Sequence, residues 1–180
     1  MKISNAHWLV LFFLSMTTAC ASGSSDTKTH SNYDHQFDFA GVRSVYIEPS
    51  SRTDPATIEI SDAQIARIDE AISSELTRKG FKVEGASREA DLLLTWTLNP
   101  RDLVSAKPSA SDCDGCDMAV DGGERYSKGT LIVDMVDPIR NQAVWRTDMD
   151  VELYANPGSD RAAQAWATAT SAMFANFPPQ

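Results

Sequence analysis

Residues 128–154, KGTLIVDMVDPIRNQAVWRTDMDVELY, carry the clearest periodicity in the chain. Leu131, Val133 and Met135 alternate with Ile132, Asp134 and Val136, and the run from Asp137 through Pro138 to Gln142 has the composition of a turn. On the return, Trp145, Met149, Val151 and Leu153 share one face, and Arg146, Asp148, Asp150 and Glu152 the other. A period of two with one apolar and one charged side predicts a long antiparallel hairpin, half buried and half wet. The acidic row Asp148, Asp150 and Glu152 needs no catalytic explanation, because alternate residues on an exposed strand face are ordinarily charged.

Working outward, Asn156-Pro157-Gly158 breaks the return strand, Ser159 or Asp160 can cap, and a helix is predicted over 161–177. Ala163, Trp166, Thr170, Phe174 and Phe177 form its inward stripe, and Pro178-Pro179 stops it. Upstream, Asp91–Leu98 is nearly continuous in apolar residues, which marks a strand well inside a sheet. Ser61 with Gln64 reads as a capping box, and Ile65, Ile68, Ile72 and Leu76 follow as one apolar stripe up to the stop at Gly80. Phe81-Lys82-Val83 resumes extended backbone. A first strand is predicted over 43–48, with Val45 and Ile47 on one face and Tyr46 opposite, preceded by Phe37 and Phe39 at the core edge. Strand, helix, two strands, long loop, hairpin and helix predict an α+β fold: a mostly antiparallel sheet with two helices packed on one face. Residues 33–180 suffice for a single domain of this kind.

The first twenty residues follow a different logic. Lys2 supplies a positive start, Trp8–Met16 is apolar but too short to span a bilayer, and Thr17-Thr18-Ala19 narrows to small residues before Cys20. This order resembles the bacterial lipoprotein signal, which implies a signal peptide over 1–19 ending in a lipobox. Cys20 would take a diacylglyceryl group on its thiol and an acyl chain such as palmitate on its new amino terminus. An ordinary cleaved signal with Cys20 incidental is the alternative. Against it, residues 21–32, ASGSSDTKTHSN, have the composition of a flexible tether. Such a tether spans about 20 Å as a coil and about 40 Å at full stretch. Ala21 is not Asp, which by resemblance to lipoprotein sorting favours the outer membrane, on its periplasmic side. Each buried methylene contributes about 0.8 kcal/mol, so several acyl chains on Cys20 hold the membrane without a second signal.

The longest irregular stretch is predicted over 99–127 and holds Cys113-Asp114-Gly115-Cys116 among Asp112, Asp117, Asp121 and Glu124. With Cys20 taken by lipid, Cys113 and Cys116 remain as an even pair in an oxidising compartment, which predicts a local disulfide. Its small ring limits the stabilisation to about 2 kcal/mol. A redox dithiol needs a lowered thiol pKa, and the neighbouring carboxylates raise it. The acids do not follow the calcium-loop order, and two cysteines alone make half a zinc site, so no metal and no cofactor are expected.

The formal charge is -9 for the whole chain; without residues 1–19, which contain Lys2 and no acid, 15 basic and 25 acidic residues leave -10. This balance repels phosphate, and no basic run exists, so nucleic acid is excluded as a partner. The histidines are His7, in the signal, and His30 and His35, in or beside the tether. A tethered histidine cannot pre-organise a nucleophile, and Gly122-Gly123 lacks the lysine and helix of a phosphate loop. The chain is therefore not expected to be an enzyme. Distances between paired carboxylates, the remaining catalytic device, are not legible in sequence.

Several short motifs, in order, are similar to the bacterial lipoprotein family known as domain of unknown function 4136. They are Phe37-Asp38-Phe39, Lys79-Gly80-Phe81, Ala90-Asp91-Leu92-Leu93-Leu94, Gly129-Thr130-Leu131-Ile132-Val133-Asp134, Val144-Trp145-Arg146 and Phe177-Pro178-Pro179. The resemblance covers residues 33–180 and departs at the loop of Cys113 and Cys116. It implies an envelope lipoprotein with an α+β domain and no assigned reaction, and carries over no catalytic residue. The expected function is a lipid-anchored envelope protein whose domain binds another envelope component or supports envelope integrity. The alternatives are a small-ligand or metal-binding lipoprotein using loop 112–124, and a soluble periplasmic enzyme.

Overall fold

A computed structural model describes residues 28–49, 60–100, 119–121 and 124–179. In chain order its regular elements are β1 (Thr29–Tyr33), β2 (Ser44–Ile47), α1 (Asp62–Arg78), β3 (Lys82–Val83), β4 (Leu92–Pro100), β5 (Ala119–Asp121), β6 (Glu124–Asp137), β7 (Gln142–Tyr154) and α2 (Asp160–Met173). One sheet runs β1-β7-β6-β4-β2-β3, and β5 pairs with β6 off that path. Both helices cover the face that carries Val45, Leu92, Leu94, Trp96, Leu98, Leu131, Val133 and Met135, and one continuous core lies between.

The hairpin forms as its alternation dictates, with β6 and β7 antiparallel from Tyr126 opposite Tyr154 to Asp137 opposite Gln142. Trp145, Met149, Val151 and Leu153 are buried. At the turn, Asn141 takes φ 52°, a left-handed conformation that asparagine tolerates. A bulge intervenes: Met135 pairs with Trp145 but Val136 with Ala143. The extra residue, Val144, is thereby turned into the core beside Trp145, each 1% exposed. Thr147 also points inward, fully buried, and its hydroxyl donates to the His30 carbonyl at 3.1 Å.

Helix α1 starts on the expected capping box: the Gln64 N–H donates to Ser61 Oγ, and the Ser61 N–H donates to Gln64 Oε1. Ile68, Ile72 and Leu76 are fully buried, and each such side chain contributes about 1.5–3 kcal/mol of transfer free energy. Gly80, at φ +92°, ends the helix where a side chain would be strained.

The expected mostly antiparallel sheet is overturned. The sheet is mixed, because β2 runs parallel to both its neighbours, β3 and β4, while β4, β6, β7 and β1 pair antiparallel. The physical reason is connectivity: β2 is followed by α1, and a helix between adjacent strands lets the chain cross over and return in the same direction. Three boundaries also move. Thr29–Asn32, assigned above to the tether, are strand β1 on the edge of β7. The stretch 99–127 is not loop throughout, since β4 continues to Pro100 and β5 and β6 lie within its end. Helix α2 stops at Met173, and Phe177 reaches the core only after the chain has turned, with its N–H donating to the Phe174 carbonyl at 3.0 Å.

Candidate functional site

Cys20, Cys113 and Cys116, with Asp112, Asp114 and Asp117, lie outside the described residues. Asp121 and Glu124 are register partners across the β5–β6 connection. Among the described residues, no group of three or more His, Cys, Asp or Glu side chains is placed to hold a metal ion. No helix among them is long and apolar enough to cross a membrane, which says nothing of a β-barrel.

Two open concavities mark the described surface. One, of about 460 Å³, sits beside the β6–β7 turn and is lined by Phe37, Asp38, Val42, Arg88, Asp91 and Ile139, among others. Its walls are built by two acids that organise backbone. Asp137 accepts from the N–H groups of Ile139 (2.8 Å) and Arg140 (3.3 Å) and from Arg140 Nε (2.6 Å). The Arg140 guanidinium, chiefly, holds the Asp137 carboxyl below its usual range. Arg140 also reaches Asp34 at 3.4 Å and lies 5.2 Å over the Phe37 ring. On the other wall, Asp91 Oδ2 accepts from the N–H groups of Arg43 and Ser44 and from Ser44 Oγ, each at 2.9 Å. These bonds, that from Arg43 first, hold Asp91 below its usual range against a smaller opposing effect of burial. The turn so fixed presents Ile139, 93% exposed, to solvent.

The second concavity, about 440 Å³, runs between α1 and α2 and is lined by Arg67, Ala71, Ser74, Glu75, Ala163 and Ala167, among others. Glu75 is buried there and forms a two-bond pair with Arg78, at 2.6 and 2.7 Å. Beneath the same helix, Asp69 accepts from Trp96 Nε1 at 2.8 Å; burial pushes its carboxyl up, and the indole bond offsets part of that. These acids join helix to sheet and close turns of chain.

The two histidines of the described region belong to the fold, not to a tether. His30 lies in β1, with Nδ1 3.4 Å from Asp148 on the wet face, and the His35 ring centroid is 4.3 Å from that of Tyr33. The sequence argument that distance from the domain disqualifies them is thus corrected. Asp148 and Glu152 have local partners, Glu152 accepting from the Tyr154 hydroxyl at 2.9 Å, and Asp150 accepts from Thr130 at 3.0 Å. The turn constellation of Asp137, Arg140, Asp34 and Phe37 was missed in the sequence, although an aspartate followed by proline at a hairpin turn is a readable signal for backbone capping.

Two helices on one face of a mixed, seven-stranded sheet define an α+β domain whose described acids hold its turns and helices in place. The chain belongs to the family described as domain of unknown function DUF4136, whose model matches residues 29–179. A DUF4136 family protein from Bacteroides thetaiotaomicron has a similar structure, at 13% identity over 86% of this chain and 97% of that one, with a TM-score of 0.53. Looser similarities are to a PelC dodecamer from Paraburkholderia phytofirmans (13% identity, 82% of this chain, 96% of that one, TM-score 0.46) and to a lipoprotein from Neisseria meningitidis (10%, 74%, 99%, TM-score 0.42). No curated protein matches the chain in sequence.

Proposed function

We propose that the chain is a lipid-anchored protein of the cell envelope, held at the periplasmic side of the outer membrane by acylated Cys20, and that its domain binds another envelope component without catalysing a reaction. One observation carries this reading: the lipobox-like run Leu9–Cys20 lies only eight residues, Ala21–Lys28, ahead of strand β1 at Thr29. A tether that short holds a domain close to the bilayer, where several acyl chains bind firmly. Ala21 supports sorting to the outer membrane. Cys113 and Cys116, three positions apart, are proposed to pair as a disulfide in that oxidising compartment. The test is metabolic labelling with a palmitate analogue, followed by membrane fractionation, in cells expressing the wild type or Cys20→Ala. Label on the wild type alone, in the outer-membrane fraction, is the expected result. An unlabelled wild type recovered soluble from the periplasm defeats the proposal.

A further inference from the structure

We infer that the anchored domain stands with the Tyr154 end of its hairpin toward the bilayer and the β6–β7 turn pointing away, so that Ile139 and the groove beside it form the membrane-distal surface. The inference rests on the lipid-anchor reading above and adds which surface meets the lipid. Strand β1 runs antiparallel to β7, from Thr29 opposite Met149 to Tyr33 opposite Trp145. Its amino-terminal end therefore points along β7 toward Tyr154, and the chain leaves the sheet edge in that direction. From the level of Thr29, the end of β7 is five residues on, about 17 Å, and β6 continues two residues further to Glu124, about 24 Å in all; Gln142, where the turn begins, is seven residues back, also about 24 Å. The eight residues Ala21–Lys28 reach about 28 Å at most. That reach, spent in the direction in which β1 already points, passes the Glu124 end of the sheet. To lay the turn on the bilayer the chain would have to reverse at Thr29 and cover the same distance back along the sheet, with the reversal itself using up part of that reach.

Two consequences follow from this orientation. Pro100 pairs with Gly129, and β5 pairs with the start of β6, so the chain enters and leaves residues 101–118 at the bilayer-facing end. At the other end, Asp137 and Arg140 fix the turn that displays Ile139. A partner approaching from the aqueous side meets that turn first.

The test uses full-length acylated protein carrying p-azidophenylalanine in place of Ile139 or, separately, of Ala155, each coupled to a small fluorophore. Both positions are exposed. The protein is reconstituted into phosphatidylethanolamine and phosphatidylglycerol vesicles containing lipids with nitroxide head groups. Quenching several-fold stronger at position 155 than at 139 is expected. A flexible Gly-Ser insert that doubles the tether is expected to shrink the difference. Equal quenching, stronger quenching at 139, or a difference that survives the insert overturns the inference. Intact mass separates the two failures: protein without acyl mass defeats the anchor reading itself, whereas acylated protein with even quenching defeats only the orientation.

Discussion

The β6–β7 hairpin and the β2–α1–β3 crossover contribute to the same core but are held in different ways. In the hairpin, neighbours in sequence are neighbours in space; a short turn joins the strands, and the alternation of apolar and charged residues sets their register. In the crossover, a seventeen-residue helix separates the two strands, and their parallel pairing covers only Ser44 with Lys82 and Val45 with Val83. The difference teaches where stability and readability lie together. Local pairing is encoded residue by residue, whereas the crossover depends on α1 being docked, because β3 is too short to hold itself.

That contrast is open to direct attack. The largest effect is expected from Trp145→Ala, since the indole is buried on β7 with its centroid 5.4 Å from that of Phe174 and 5.0 Å from that of Phe177. Urea denaturation is expected to show a loss of about 4 kcal/mol. A loss near that of a surface change would show that the hairpin core is not where the fold is held. Ile72→Ala, in the crossover helix, is expected to cost about 3 kcal/mol by the same measurement. Native-state hydrogen exchange on that variant is expected to open β3 before β6 and β7; simultaneous opening would remove the distinction between the two regions.

Removing the cap of α1 is a finer probe. Ser61→Ala deletes the oxygen that accepts from the Gln64 N–H at 3.2 Å, for an expected loss of about 1 kcal/mol in thermal or urea unfolding. The smallest effects concern pH. Asp91 is held below its usual range in the fold, so its contribution is present above its unfolded pKa and is lost as pH falls through the folded one. Asp91→Asn is therefore expected to flatten the acid limb of stability. Asp69 has the opposite sign: burial raises it, so its contribution is present below the unfolded pKa and is lost as pH rises through the folded one. Asp69→Asn is expected to raise stability at neutral pH relative to acid. Identical pH profiles for both variants and the wild type would show that neither acid is linked to folding.

Much of the architecture was legible. The capping box at Ser61, the stop at Gly80 and the inward stripe Ile68, Ile72 and Leu76 each rest on chemistry within one helix. Strand β1 was not legible, because Thr29-His30-Ser31-Asn32 has the composition of a tether and becomes a strand only by pairing with β7. The site was less readable than the fold. Asp91 reaches Arg43 and Ser44 from nearly fifty residues away, and no spacing rule links them. Asp137 with its turn was within reach of a local reading, and its further contacts with Asp34 and Phe37 through Arg140 were not.

By itself, then, the sequence determined the hairpin, helix α1 with its inward stripe, the presence of a second helix carrying Trp166 and Thr170 inward, and the signal-like run before Cys20, because each is written in residues a few positions apart. Only the tertiary structure decided that β2 lies parallel between β3 and β4, that Val144 turns inward at a bulge, and that β1 closes the edge of β7. Strand direction after a helical crossover, and the partner of an edge strand, depend on how separate elements share one core. A local pattern states which face is apolar; docking alone states what that face meets.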